Sequence, residues 1–254
     1  MRRLIAAEFQ KMFTTRLWLW LLLISMWLTW VFVYIAIEYG DEAGNVQPAL
    51  DTAAGQRTVL AASVMGAAPL IAVLAAIGMS GEYRHKTATS TFLATPRRDR
   101  VLLAKMITYP LVGVVYGAVN FALAAAIAVP WLSNKDIDVS LTGSGIPGAF
   151  LGVVIAVMLY AVLGVALGAL IREQVAAVVA LLLYTLLIEG LLARLEPLSG
   201  VATYFPGVAE RALAQVHQWD VDLLEPWQGG IVLALYAAAL AAFGVFLTKR
   251  RDVT

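Results

Sequence analysis

Six stretches of about 20 apolar residues decide what this chain can fold into. They cover residues 17–37, 58–79, 101–129, 147–171, 175–193 and 227–247. Wound as helices at about 1.5 Å per residue, runs of this length match the roughly 30 Å hydrocarbon layer of a bilayer. The composition agrees: the 254 residues are 61% hydrophobic and 14% charged, with a mean hydropathy of +0.81. That leaves too little polar surface to cover a soluble globule. The expected fold class is an all-α integral membrane protein with six transmembrane helices, residues 1–254 forming a single transmembrane domain. The basic start followed by an apolar run has the outline of a signal peptide. The run continues to Ile37 without a small-residue cleavage pattern, so it reads as the first span.

Six spans place both termini on one side, and the Lys and Arg residues say which. Arg2, Arg3, Lys11, Arg16, Arg84, Lys86, Arg97, Arg98, Arg100, Lys105, Arg172, Lys249, Arg250 and Arg251 fall on the side of the termini. Of the 18 Lys and Arg, the other side keeps Arg57, Lys135, Arg194 and Arg211, together with many acids. The positive-inside rule therefore predicts cytoplasmic termini, in a multi-pass protein of the bacterial inner (plasma) membrane. Residues 1–16 begin with Leu4, Ile5, Phe9, Met12 and Phe13 at helical spacing and Arg2, Arg3, Glu8 and Lys11 off that stripe. The pattern predicts an amphipathic elbow helix on the inner leaflet. Gly113/Gly117, Gly148/Gly152 and Gly164/Gly168 form GxxxG pairs that let helix backbones approach closely. Residues 194–226, too polar to span, are expected to hold short helices on the outer side.

The chemistry a sequence of this kind lacks is equally informative. No cysteine is present and the two histidines, His85 and His217, fall on opposite sides, so neither a catalytic nor a metal site is expected. There is no phosphate-binding loop, so ATP and Mg would have to be bound by another chain. No nucleic-acid partner is expected. Within the spans the polar residues are few, and each is a candidate because such groups are costly at membrane depth. Ser63, Asn120, Tyr184 and Glu189 are the candidates. For Ser63 and Asn120, interhelical hydrogen bonding is the competing role. Glu189 is either a carboxylate facing a water-filled seam or half of an ion pair with Arg194.

One polar segment interrupts the apolar pattern. Residues 82–95 contain no helix breaker, stop at Pro96 and carry Phe92 and Leu93 among hydroxyls that include Thr87 and Thr91. They predict a short cytoplasmic helix with an apolar anchor in a polar rim, the look of a small docking element. GEYRHKTATSTFLATPRRDRVLLAK, residues 81–105, resembles the signature of the membrane subunits of type 2 ATP-binding-cassette transporters. In these, a Glu-led basic segment, a Thr-rich helix and a Pro-Arg-Arg turn precede the third span and its Lys. The likeness extends to Glu189, the YFPG stretch at Tyr204 to Gly207 and the Arg250-Arg251-Asp252 tail.

That resemblance implies a coupling helix at residues 82–95 seated on an ATP-binding subunit, with Glu82, Tyr83, Arg84, Thr87, Thr91, Phe92 and Leu93 as its contact residues. It also implies two ATP-binding chains, a second copy of this permease or a homologous one, contact with membrane lipid, and a pathway bordered by the faces of the second and fifth spans that carry Ser63, Met65, Tyr184 and Glu189, with Asn120 of the third span as a further candidate. The expected function is that of a permease subunit of an ATP-driven exporter for a hydrophobic or amphipathic substrate, multidrug efflux included, with lipid, peptide and ion export also open. A secondary transporter or channel working without ATP is the alternative, as is a membrane scaffold that anchors a cytoplasmic partner.

Overall fold

The computed structural model describes residues 1–39, 48–84, 98–217 and 223–250. Among them every regular element is helical. Helix α1 (Arg2–Thr14) precedes the first span, α2 (Leu17–Glu38). The second span is α3 (Ala53–Ala61) followed by α4 (Ser63–Arg84), and the third and fourth are α5 (Arg98–Ser133) and α6 (Ile146–Leu170). The fifth is α7 (Gln174–Leu183), a π-turn (Tyr184–Ile188) and α8 (Glu189–Ala193). After a 3-10 turn (Glu196–Leu198) come α9 (Ser199–Ala202), α10 (Pro206–Ala214) and the last span, α11 (Pro226–Arg250). Six helical stretches among the described residues are long and apolar enough to cross a membrane.

The second span is the hub of the bundle. Of its apolar stretch 83% is buried inside the chain, against 17% for the fifth and sixth. Small residues make this burial possible. A Cβ added at Gly164 would lie 2.2 Å from the carbonyl oxygen of Ala72, and one at Gly168 would lie 2.7 Å from that of Ala76, so α6 rests backbone to backbone on α4. The other two GxxxG pairs also sit at contacts within the chain, Gly113 and Gly117 against Met158 and Val154, Gly148 and Gly152 against Gln215 and Leu213.

Two spans are interrupted where sequence periodicity predicts continuous helix. The second starts earlier than expected, at Ala53, where Thr52 Oγ1 accepts from Gly55 N at 3.1 Å and caps the helix. It then hitches at Ala62, beside Ser63, whose hydroxyl bonds back to Leu60 O at 2.9 Å, a contact that bends helices. In the fifth, the Glu189 N–H reaches back to Tyr184 O, which inserts one extra residue into the turn.

Side-chain contacts tie the two ends of the bundle. At the end away from the termini, Arg57 Nη1 donates to Ser144 O at 2.7 Å, Gln56 Nε2 to Asp138 O at 3.1 Å, and His217 N to Thr58 Oγ1 at 3.3 Å. At the end bearing the N-terminus, the ties are ionic.

Candidate functional site

Four charges from three elements meet at the N-terminal end. Lys105, near the start of α5, is 1% exposed. An ammonium has three donors, and all three are used: Nζ lies 2.5 Å from Glu8 Oε2, 2.9 Å from Glu82 Oε1 and 2.9 Å from Gly78 O. Lys11 closes the ring with 2.9 Å contacts to both Glu8 and Glu82. Burial works against the Lys11 charge, but the two carboxylates more than offset it, and its ammonium titrates above the ordinary lysine range. Two acids and two bases make the quartet neutral, which is the condition for burying it.

The quartet also fixes which side of α1 meets the bundle. Glu8 and Met12 are the buried residues of α1, while Phe13, in the apolar stripe, is half exposed. The reason is Lys105, whose buried charge requires a carboxylate.

The residues expected to contact a partner divide at this point. Glu82 points into the quartet, and Arg84 ends α4 exposed, with its charge acting on Glu173. Tyr83 lies in the last turn of α4. Thr87, Thr91, Phe92 and Leu93 lie outside the described residues, as does most of the expected coupling helix 82–95.

The candidate pathway residues also separate into two places. Asn120 and Ser63 are fully buried between α2, α4 and α5. Asn120 Nδ2 donates to Ser25 Oγ at 3.0 Å and Tyr116 O at 2.8 Å, and its Oδ1 accepts from Thr29 Oγ1 at 2.8 Å. Such a satisfied network fixes how α2 and α5 pack.

Met65, Tyr184 and Glu189 lie elsewhere, around α10. Glu189 is 6% exposed, and its Oε1 accepts from Gly207 N at 2.6 Å and Val208 N at 3.0 Å. It thereby caps the N-terminus of α10 from a distant element, supplying an acceptor oxygen for two of the helix's orphan N–H groups. The YFPG stretch acquires a physical meaning. Pro206 occupies the first helical position, where its missing N–H costs nothing. Gly207 makes room, since a Cβ there would sit 2.6 Å from the Glu189 oxygen.

A second acid, absent from the sequence candidates, joins it. Glu210 is buried in α10 and accepts from the Tyr160 hydroxyl of α6. Burial pushes its carboxyl up to about 8, with Glu189 adding to the rise and Tyr160 and Arg211 opposing it. The cation beside Glu189 is likewise Arg211, where the sequence offered Arg194. Glu189, Glu210, Arg211 and Tyr160 border a cavity of about 110 Å³, closed on its other sides by residues that include Met65 and Pro69. Nothing in the primary structure links Glu210 to Tyr160, 50 positions earlier, or marks an acid on a short helix as buried.

The sequence matches the family model described as "ABC-2 family transporter protein" over residues 4–188. The chain belongs to the ABC-2 transporter family. A search of curated proteins finds no match. As an ABC-2 chain it is a multi-pass membrane protein, the permease subunit of an ABC transporter, which itself carries transport and not nucleotide hydrolysis. All four members of the ion quartet lie within the matched stretch, while Glu189 and Glu210 lie just beyond it.

Proposed function

We propose that this permease is driven by a separate ATP-binding subunit that binds ATP and Mg, in an assembly of two such subunits with two permease copies, and that it exports a hydrophobic or amphipathic substrate. Both termini face the cytoplasm of a bacterial cell, as the distribution of Lys and Arg favours. Residues 82–95 dock on the partner, with Phe92 as the apolar anchor, and α1 lies on the inner leaflet.

One observation carries this reading. Glu82 and Lys105 flank the segment on which the partner would push, and they are ion-paired with each other and with α1. A displacement applied between them therefore moves the ends of α1, α4 and α5 together, because separating any one would strand a buried charge. From there α4 carries the motion to every span that packs on it, including α6 through the backbone contacts at Gly164 and Gly168. Transmission by packed, rigid elements is how small displacements at one end become a discrete change at the other.

Affinity purification of the chain from its native membrane tests the proposal. The expected result is a co-purifying subunit with a phosphate-binding loop, ATPase activity in the complex that transported substrate alters, and none in the permease alone. A Phe92→Ala chain should insert normally but assemble at least tenfold less complex, about 1.4 kcal/mol or more. Proton-driven transport by the isolated chain in ATP-free vesicles would replace this reading with a secondary transporter.

A further inference from the structure

At the end of the bundle that bears the N-terminus, the ion quartet forms one edge of a cavity of about 510 Å³, enclosed by α1, α4, α5 and the start of α7. Its floor is a face of α4 carrying Gly78 and Gly81, whose Cβ sites, three residues apart, are separated by about 5–6 Å. Two polar side chains overhang this floor. A Cβ at Gly78 would run into the Tyr109 hydroxyl, and one at Gly81 would meet only Gln174 Oε1, at 3.9 Å.

Both overhanging groups are unspent. Tyr109 is 4% exposed, and among the described residues its hydroxyl has no hydrogen-bond partner. That oxygen is not sealed in protein; it opens on the cavity that Tyr109 lines. The Gln174 amide, half-buried in the same wall, likewise has no partner among the described residues. A phenol and an amide so placed call for acceptor atoms on whatever fills the space between them.

Charge and depth narrow what that is. Glu8, Glu82, Lys11 and Lys105 cancel one another, and the other described residues of the lining are uncharged, so the acceptor needs no charge of its own. Leu17 and Gln174 begin their spans, and Glu82 ends its own on the same side, which puts the mouth of the cavity at the membrane boundary. Leu74 lies about 12 Å deeper than Glu82 along α4, and with Ile77 it makes the inner part apolar. Ester carbonyls at the boundary and hydrocarbon below it are the layout of a glycerolipid in a leaflet. The apolar cleft of about 440 Å³ between α6, α7 and α11 is the opposite case. Leu163, Leu167, Leu181 and Leu240 line it, while the hydroxyls of Tyr160 and Thr185 are spent on Glu210 and Leu181 O.

We propose that the cavity between α1, α4, α5 and α7 binds one glycerolipid of the leaflet on the side of the termini, its ester carbonyls accepting from Tyr109 and Gln174 and an acyl chain lying against Leu74 and Ile77. The inference needs the six spans, but neither an ATP-binding partner nor a cargo.

Native mass spectrometry tests it by counting the lipid that the full chain retains after transfer from nanodiscs into detergent. The probes are dioleoylphosphatidylglycerol and its di-O-oleyl ether analogue, which keeps the headgroup and chains but lacks both carbonyls. The monomer should retain one ester lipid and about tenfold less of the ether. Tyr109→Phe combined with Gln174→Leu, which keeps the ring over Gly78, should erase that preference. Gly81→Leu, whose side chain enters open space on the floor, should lower retention of the ester lipid about tenfold with Tyr109 and Gln174 intact. This second variant keeps the test valid if the first does not fold. Equal retention of ester and ether, or an undiminished preference in the folded double variant, would overturn the proposal. So would full retention by Gly81→Leu, or a lipid carried by dimers and absent from monomers, which would assign it to a seam between copies. Because no nucleotide is used, these failures leave the ATP-driven reading standing, and absence of an ATPase partner leaves the lipid result standing.

Discussion

The two ends of this bundle bury charge in opposite ways. At the N-terminal end, two carboxylates and two lysines cancel, and Lys105 places each of its three donors on an acceptor. At the other end, two carboxylates share one arginine, one acid holds its proton to about pH 8, and one carboxylate oxygen has no partner. A closed network has one favourable arrangement and behaves as a joint. An open one has something left to bind, proton or ligand, and so behaves as a site. The family model ends between them, taking in the joint and stopping short of the acid pair.

The largest effect is expected where the closed network is broken. Lys105→Met leaves Glu8 and Glu82 facing Lys11 alone, so that one buried negative charge is uncompensated, at a cost of about 3–5 kcal/mol, and should sharply lower the yield of monodisperse protein in detergent. Adding Glu82→Gln to the Met variant removes that excess charge and should recover much of that yield. If Lys105→Met alone matched wild type, the quartet would be no joint.

A smaller effect, of different form, is expected at the open end. The raised Glu210 carboxyl means that the folded chain holds a proton which the unfolded chain releases at ordinary carboxylate pH. Between pH of about 4.5 and about 8 the folded state binds more protons, so this group's contribution to stability is full below that window and is lost as pH rises through it. Glu210→Gln should therefore flatten the fall in melting temperature between pH 6 and pH 9, with each kcal/mol recovered at pH 9 worth roughly 2–4 °C. A mutant whose pH profile parallels wild type would show that Glu210 is not the buried proton carrier.

The same contrast explains what could be read in advance. The six spans were legible because a bilayer demands length and apolarity, both of which are local properties of a sequence. The family likeness was legible for a similar reason, residues 81–105 forming one continuous motif. The hitch at Ala62 and the π-turn at Tyr184 were not, since each depends on a hydroxyl or carbonyl finding a partner in the preceding turn while the hydropathy pattern runs on unbroken. The quartet escaped because its members lie at positions 8, 11, 82 and 105, and Glu8 followed by Lys11 reads like any polar side of an amphipathic helix. Glu189 was recognised as an unusual acid from its apolar surroundings, but its two donors are backbone N–H groups, which no residue pattern announces. Glu210 carried no signal at all: α10 buries Val208, Ala209, Glu210, Ala212, Leu213 and Ala214, so the helix has no solvated side to which an acid could be assigned.

Whether the joint moves as a unit while the site changes shape is decided by distances in the assembled transporter. The chain has no cysteine, so pairs of introduced ones can carry spin labels without background. One pair, at the exposed positions Phe13 and Leu103, reports α1 against α5; another, at Val179 and Leu235, spans the apolar cleft between α7 and α11. Double electron–electron resonance on the complex with its ATP-binding subunit, nucleotide-free and ATP-bound, should show the first distance unchanged and the second shifted by several ångströms on the order of other domain and helix rearrangements. A shift across α1 and α5 with a constant cleft would contradict the account.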